Sequence, residues 1–202
     1  IYIIIFFFKH SMADPHKKFV RWFNYAKKNF LGDHTAFALG SCDKTNRPYV
    51  RMVLLKIILK DGYVFFTNLN SKKGNQFKNN EKLSMCFYWE SLKRQIRING
   101  NGSVIPNDMA DKYFQTRPRG SQIGALASDQ SQVISSRKIL MNKIDLLKKK
   151  FKNKKINRPN YWTGIKIKPK TFEFWEEGKF RIHKRQFYER KSNYWETKIL
   201  SP

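Results

Sequence analysis

The sequence has little of several residue types, and each shortage narrows the class of protein. Only two of its 202 residues are cysteine, Cys42 and Cys86, too few for a disulfide scaffold and without the spacing of a metal site. Because such sparse cysteine use is usual in reducing compartments, we expect a cytoplasmic protein. The four histidines have no metal-ligand spacing with one another or with the cysteines, so we expect no bound metal.

Acidic residues are also scarce, since 15 Asp and Glu stand against 41 Lys and Arg and give a formal net charge of +26. A charge of this size and sign is typical of proteins that bind nucleic acids or anionic membranes. Most of the excess, however, consists of scattered lysines, with one dense run at 148–155. No recognition module for nucleic acid accompanies the charge. We therefore expect no nucleic-acid partner, although small anions would be attracted to this surface.

Long apolar runs are missing as well. The run Ile1–Phe8 has eight residues, whereas a membrane-spanning helix needs about 20, so no membrane partner is expected. The run also lacks the basic region that precedes a secretory signal. The first methionine is Met12, and we expect residues 1–11 to be a leader or an unstructured segment, with a targeting or docking segment as the alternative. Residues 12–202 are expected to form a single domain.

Residue patterns predict many short strands and a few helices. Asp14 before Pro15 predicts a capped helix, and Ser71 and either Ser135 or Ser136 predict the starts of two more. A short helix is expected to begin at Asn107. Strands are expected at 36–40, 49–59, 63–67, 83–89, 94–105, 162–167, 171–175, 180–187 and 194–200. With no glycine-rich dinucleotide fingerprint, this pattern favours an antiparallel β-barrel with peripheral helices over a Rossmann fold.

The stretch at 117–134, RPRGSQIGALASDQSQVI, has the most unusual composition in the chain. Arg117 and Arg119 flank Pro118, and Gly120 and Gly124 would allow the backbone to approach a ligand closely. Because the planar guanidinium matches phosphate oxygens, the stretch predicts a tight loop that holds a phosphorylated ligand. A solvated loop whose arginines bind nothing explains the same residues equally well.

Six blocks that occur in a fixed order give the sequence a family resemblance. They are RMVLLK at 51–56, FFTN at 65–68, SKKG at 71–74, RQIRING at 94–100, the stretch at 117–134, and FEFW at 172–175 followed by RIHKR at 181–185. In these blocks, from about residue 14 to 202, the sequence resembles the pyridoxine (pyridoxamine) 5′-phosphate oxidases. The resemblance implies a mainly β fold with α additions, the antiparallel FMN-binding split β-barrel. It also implies a homodimer with FMN in the cleft between the subunits.

The resemblance further implies which residues bind the cofactor and the substrate. FMN would contact Arg51, Met52, Val53, Leu54, Leu55, Lys56, Phe66, Thr67, Lys72, Lys73, Gln95, Gln130, Ser131, Trp175 and Arg185. The substrate would contact Lys56, Tyr113, Arg117, Ser121, Arg181 and His183, and the last two would also be the catalytic residues. Because Arg181 and His183 are two residues apart in a predicted strand, we expect them on the same side of the sheet.

The implied activity is oxidation of pyridoxine 5′-phosphate or pyridoxamine 5′-phosphate to pyridoxal 5′-phosphate. A hydride equivalent would pass to the flavin, and dioxygen would be reduced to hydrogen peroxide. The sequence departs from the family pattern at Lys72, where arginine is usual, at Phe66, where tyrosine is common, and at Lys184, where a carboxylate is more usual. The alternative is a non-catalytic flavin-binding split-barrel protein, which would keep the fold without the stretch at 117–134 and the pair Arg181 and His183.

Overall fold

A computed structural model describes residues 14–202, so the expected leader at 1–11 lies outside the described residues. The helices are α1 (Pro15–Asn29), α2 (Lys72–Asn79), α3 (Asn107–Thr116), α4 (Arg119–Ala127) and α5 (Arg137–Lys150). The strands are β1 (Ala36–Cys42), β2 (Pro48–Leu54), β3 (Ile57–Leu59), β4 (Gly62–Asn68), β5 (Lys82–Trp89), β6 (Arg94–Val104), β7 (Trp162–Glu176), β8 (Lys184–Arg190) and β9 (Trp195–Leu200). Within residues 14–202, no helix combines the length and apolar character needed to cross a bilayer.

The nine strands form one antiparallel sheet in the order β2-β1-β5-β6-β7-β4-β3, with β8 paired to β7 and β9 to β8. Strand β7 organises the sheet because it has 15 residues and pairs with β6 along most of its length. On its other side, its first half pairs with β4 and its second half with β8. This branching curls the sheet around one face. The mainly β, antiparallel fold with peripheral helices is therefore as the sequence predicts.

The core lies on the concave face of this sheet and is rich in aromatic residues. Leu39, Met85, Ile98 and Phe172 lie opposite one another on four neighbouring strands and are all buried. Helix α1 covers them, and its Phe19 ring lies 4.4 Å from the ring of Tyr63 between centroids. Fully burying a side chain of this size contributes about 1.5–3 kcal/mol.

The start of α1 is where the sequence places it. The carboxylate of Asp14 accepts a hydrogen bond from the backbone N–H of His16 at 2.9 Å, and Pro15 occupies the first helical position. The cap satisfies a backbone donor that has no partner inside the helix. It therefore fixes where the helix that closes the core begins.

The stretch at 117–134 is not the tight loop that its composition suggests. Residues Arg119–Ala127 form α4, and a Cβ atom added to Gly120 or Gly124 would meet no other atom within 4 Å. Neither glycine is needed for a close backbone approach. Ile123 and Ala127, four residues apart, are buried and give the segment a helical face. Packing of that face outweighs the roughly 1 kcal/mol by which each glycine disfavours a helix relative to alanine.

Two strand predictions differ from the structure in their boundaries. The segment 49–59 is two strands, because β2 ends at Leu54 and β3 begins at Ile57. The segments 162–167 and 171–175 are one strand, β7, which continues through Pro169. The partner strand β6 shifts its register between Asn99 and Gly100, opposite Pro169, and this irregularity accommodates a residue that cannot donate to the ladder.

The expected strand at 180–187 begins only at Lys184, and the prediction that Arg181 and His183 share a strand face is wrong. Lys179–Arg181 is a single 3₁₀ turn in which Phe180 and Arg181 have φ values of +55° and +64°. The N–H of His183 donates to the carbonyl of Arg181 at 2.9 Å. Left-handed residues reverse the chain here, so the alternation of a strand does not apply.

Candidate functional site

A cavity of about 480 Å³ opens between β2, β4 and the helices α3 and α4. The predicted site residues that line it are Met52, Val53, Leu54, Lys56, Phe66, Thr67, Lys73, Tyr113, Arg117, Ser121 and Gln130. The other lining residues are Asn68, Gly124, Ala125, Ser128 and Trp162. Three of the sixteen lining side chains are cations and none is a carboxylate. Such a lining attracts a small anion.

Arg117 directly follows α3, and aromatic rings support its guanidinium in the cavity. Its guanidinium lies 4.5 Å from the ring centroid of Trp162 and 5.7 Å from that of Phe114. Its NH1 group is buried and has no hydrogen-bond partner within residues 14–202. Burial lowers the pKa of Arg117, with Tyr113 acting in the opposite direction, but the guanidinium stays charged. Buried donors are normally paired, so this one fits an acceptor brought by a ligand.

Parallel aromatic rings form the wall beside Arg117. The ring of Phe66 lies 3.9 Å from that of Tyr113 and 5.0 Å from that of Trp162, with interplanar angles of 11° and 12°. Trp162 supports the guanidinium of Arg117 on the face of its ring, although no pattern in the sequence indicates this role. It stands first in β7, about 45 residues after Arg117 along the chain, and no spacing rule connects the two.

Gln122 was also missed, and it fixes the corner between α3 and α4. Its buried Nε2 donates to the carbonyls of Phe114 and Arg117, each at 3.1 Å. Carbonyls at the end of a helix have no partners inside it. Gln122 supplies them, and so it holds the backbone that carries the Arg117 side chain.

A second group of cations lies at the start of α2. Ser71 caps this helix by accepting from the N–H of Gly74 at 3.3 Å. The ammonium of Lys73 donates to Oε1 of Gln130 at 3.1 Å. Burial, and then the charge of Arg51, lower the pKa of Lys73. The ammonium of Lys72 instead lies 4.5 Å from the ring centroid of Tyr49.

Arg51 is not left unpaired inside its strand. Its guanidinium donates to Oγ of Ser41 at 2.6 Å and to Oε1 of Gln76 at 2.8 Å, while Nε2 of Gln76 is buried without a partner in the described part of the chain. Of the remaining predicted contacts in this region, Leu55 is buried in the core and Ser131 is exposed in the loop after α4, with a φ of +71°.

Gln95, Trp175 and Arg185 lie apart from this cavity. They face one another directly across β6, β7 and β8. In the sheet order, β6 lies three strands from β2, about 14 Å along the sheet at the usual strand spacing. One described chain therefore holds the predicted contacts in two separate groups.

The predicted catalytic pair belongs to the second group. The ring of His183 lies 4.7 Å from that of Trp175 between centroids, and the side chain of Arg181 is exposed. His183 and Arg185 line a separate cavity of about 840 Å³ beside the C-terminal residues. Among the described residues, no group of three His, Cys, Asp or Glu side chains is arranged to hold a metal ion.

Comparison with known proteins places the chain in a family. A family model described as pyridoxamine 5′-phosphate oxidase matches residues 24–150, and one described as the pyridoxine 5′-phosphate oxidase C-terminal dimerisation region matches residues 162–202. The chain belongs to the pyridoxine/pyridoxamine 5′-phosphate oxidase family. The family named from the sequence blocks is thus confirmed, and the dimerisation region indicates a homodimer.

Curated relatives agree along nearly the whole chain. The pyridoxine/pyridoxamine 5′-phosphate oxidase of Pelagibacter ubique (strain HTCC1062) is 49% identical over 191 residues, which cover 94% of this chain and 92% of the relative. That of Zymomonas mobilis subsp. mobilis is 42% identical and covers 94% of this chain and 98% of the relative.

Solved structures confirm the split-barrel fold. PhzG from Burkholderia lata 383, solved in complex with tetrahydrophenazine-1-carboxylic acid, has a TM-score of 0.90 at 25% identity and covers 100% of this chain and 99% of its own. An FMN-binding protein from Nostoc punctiforme, related to pyridoxamine 5′-phosphate oxidase, has a TM-score of 0.73 at 14% identity and covers 94% and 98%. The family and this fold indicate a flavin cofactor.

Proposed function

We propose that the protein is an FMN-dependent oxidase that converts pyridoxine 5′-phosphate or pyridoxamine 5′-phosphate to pyridoxal 5′-phosphate and reduces dioxygen to hydrogen peroxide. The observation that carries the proposal is the cavity with three cations and no carboxylate, in which NH1 of Arg117 is buried without a partner in residues 14–202. A phosphorylated ligand brings the acceptors that this lining lacks. The names of the curated relatives support the same substrate class.

The substrate phosphate would be held by Lys56, Tyr113, Arg117 and Ser121, all of which line the cavity. Arg117 offers a planar pair of donors that matches two phosphate oxygens, and its aromatic support keeps that plane fixed. Burial raises the pKa of Tyr113, and the nearby Arg117 opposes this effect only in part. The phenol therefore stays protonated at neutral pH and can donate to the phosphate.

The residues along β2 and α2 would hold FMN. Arg51 and Lys73 would bind its phosphate together, since burial and then the positive charge of Arg51 lower the pKa of Lys73 and an anion would relieve this repulsion. The buried unpaired Nε2 of Gln76 beside them fits one more acceptor. The remaining expected contacts in this region are Met52, Val53, Leu54, Leu55, Lys56, Phe66, Thr67, Lys72, Gln130 and Ser131. When bound, FMN supplies the redox chemistry, since its ring can take up two electrons and return them to dioxygen.

A second copy of the chain would complete the site. The match to the dimerisation region spans residues 162–202 and so includes Trp175, Arg185 and the pair Arg181 and His183. On β2, the apolar side chains of Val50 and Met52 are 71% and 64% exposed, as expected of a face that a partner covers. Gln95, Trp175 and Arg185 of one copy would then approach the flavin held by the other.

The chain's own contribution to the reaction would be positioning. Arg181 and His183 would orient the pyridine ring, while Arg117 and the other phosphate-binding residues hold the phosphate. The reacting carbon would then be placed for hydride transfer to the flavin. Small errors in such placement slow a reaction strongly. A non-catalytic flavin binder is not favoured, because the stretch at 117–134 and the pair Arg181 and His183 are both present.

The visible absorption spectrum of the full-length protein tests this function. We expect a yellow homodimer whose flavin absorbance bleaches on addition of pyridoxine 5′-phosphate without oxygen and recovers in air with release of hydrogen peroxide. Unphosphorylated pyridoxine is the matched control and should bleach the flavin far less at the same concentration. A colourless monomer that does not take up added FMN would contradict the proposal.

A further inference from the structure

Glu173 differs from the other acidic residues in the described part of the chain because it is buried. It is 4% exposed, and no other Asp or Glu within residues 14–202 falls in the buried class. It lies in β7 on the face opposite the core, directly across from Arg97 of β6. In a chain with 15 acidic and 41 basic residues, a carboxylate removed from water requires close cationic partners.

The two carboxylate oxygens of Glu173 bind two different arginines. Oε1 accepts from Nε of Arg185 at 2.9 Å, and Oε2 accepts from NH2 of Arg97. Burial alone would raise the pKa of Glu173, but the hydrogen bonds from Arg185 and Arg97 outweigh it and the pKa is lowered. The carboxylate is therefore charged at neutral pH, and it links three neighbouring strands.

The contact with Glu173 is one of two that fix the guanidinium of Arg185. NH1 of Arg185 donates to the carbonyl of Ser201 at 2.8 Å, so Nε and NH1 are both bonded to the protein. Two bonds to a rigid planar group fix its plane as well as its position. The Arg185 side chain is 25% exposed and the Arg97 side chain 51%, so Arg185 is the more buried of the two arginines that bind the carboxylate.

We propose that Glu173 is a positioning residue for the cofactor, because it holds Arg185 in the orientation that meets the flavin of the other subunit. This inference rests on the proposed function, in which Arg185 contacts FMN. Arg97 completes the charge balance of the carboxylate and has no cofactor role of its own. A binding group that is already oriented loses less entropy when the ligand arrives.

A double-mutant cycle on the flavin-loaded, full-length protein tests the inference. The variants are Glu173→Gln, Arg185→Gln and the two combined, with Arg97→Gln as the matched control that removes the other partner of the same carboxylate. The dissociation constant of FMN is measured from the rise in flavin fluorescence on dilution, and the melting temperature of each variant is recorded beside it.

We expect Glu173→Gln to weaken FMN binding about tenfold, the lower end of the effect of losing a charge-assisted hydrogen bond. Arg185→Gln should weaken it at least as much, and the combined variant no further than Arg185→Gln alone. Arg97→Gln should change FMN affinity less than threefold. A role in stability alone would lower melting temperatures without this non-additivity in flavin binding.

The contrary outcomes separate the inference from the proposed function. If Arg185→Gln leaves FMN binding unchanged, the assigned role of Arg185 is wrong and the inference fails with it. If Arg185→Gln weakens binding but Glu173→Gln does not, or if the two effects add, only the inference is overturned. Should Glu173→Gln fail to fold, Glu173→Asp takes its place in the cycle, because its shorter carboxylate cannot hold both arginines, and an unchanged FMN affinity there overturns the inference.

Discussion

Two arginines in different parts of the molecule are prepared for ligands in different ways. Arg117 lies on the ring of Trp162 with a buried NH1 that no residue within 14–202 bonds. Arg185, by contrast, is bonded at Nε by Glu173 and at NH1 by Ser201. The first arginine strongly attracts an incoming anion, and the aromatic ring supports its plane while leaving its NH1 group without a partner. The second has a fixed direction, and much of its charge is already balanced, so it suits a neutral polar edge better than a phosphate.

Among the variants that distinguish the two arginines, Arg117→Ala should change substrate affinity most. Loss of a charge-assisted contact to phosphate costs about 1.5–3 kcal/mol, which is one to two decades in substrate affinity. FMN content should stay unchanged, because the FMN phosphate is assigned to Arg51 and Lys73. Steady-state KM for pyridoxine 5′-phosphate and the visible spectrum measure the two quantities.

Arg119→Ala is the control for that variant. Its NH2 group donates to the carbonyls of Phe151 and Lys154, so it removes one positive charge from the same stretch without removing a cavity-lining cation. Substrate affinity should fall less than threefold. If Arg117→Ala lost FMN while keeping normal substrate affinity, the assignment of the two anion sites would be reversed.

A smaller effect is expected from Trp162→Leu, which removes the surface that supports Arg117. A cation–π contact contributes roughly 0.5–2 kcal/mol, and we expect KM for the phosphorylated substrate to rise about fivefold. Trp22→Leu is a matched control, because Trp22 carries Arg94 at 4.7 Å in the same way and is not among the residues that line the cavity around Arg117. It should lower thermal stability and leave KM unchanged. Equal KM values for the two variants would show that aromatic support does not orient Arg117.

Local chemistry in the sequence was enough to predict much of the fold. The helix caps at Asp14 and Ser71 both stand where the sequence indicates. Each depends on residues within a few positions of one another. Helix α4 was missed for the opposite reason, since its glycines suggest a loop and only packing of Ile123 and Ala127 against other elements makes it a helix.

The residues of the site also divide into those that the sequence indicates and those that only the folded structure reveals. The family resemblance was enough to name eleven of the cavity-lining residues, but it did not indicate Trp162, Gln122 or Glu173. Trp162 and Glu173 contact partners that are distant in sequence or on a neighbouring strand. Gln122 bonds carbonyls five and eight residues before it, across the corner between two helices, and no spacing rule indicates such a contact. The pair Arg181 and His183 does not have the predicted strand geometry, because two left-handed residues at 180 and 181 replace the expected strand.

The smallest predicted effect concerns the pH dependence of FMN binding at Lys73. Burial, and then the charge of Arg51, lower the pKa of this ammonium, so it loses its proton at a lower pH than an ordinary lysine, whose pKa is about 10.4. A phosphate prefers the charged form. FMN affinity should therefore be constant below the lowered pKa and decline severalfold as the pH rises through it. Flavin release followed by fluorescence between neutral and alkaline pH measures the decline.

Lys73→Arg separates this titration from other alkaline effects. A guanidinium stays protonated throughout the range, so the variant should retain FMN at a pH where the parent protein has begun to release it. Parallel pH profiles for the parent and Lys73→Arg would mean that Lys73 does not bind the phosphate, and the cation contact at the start of α2 would then have to come from Lys72 on the ring of Tyr49.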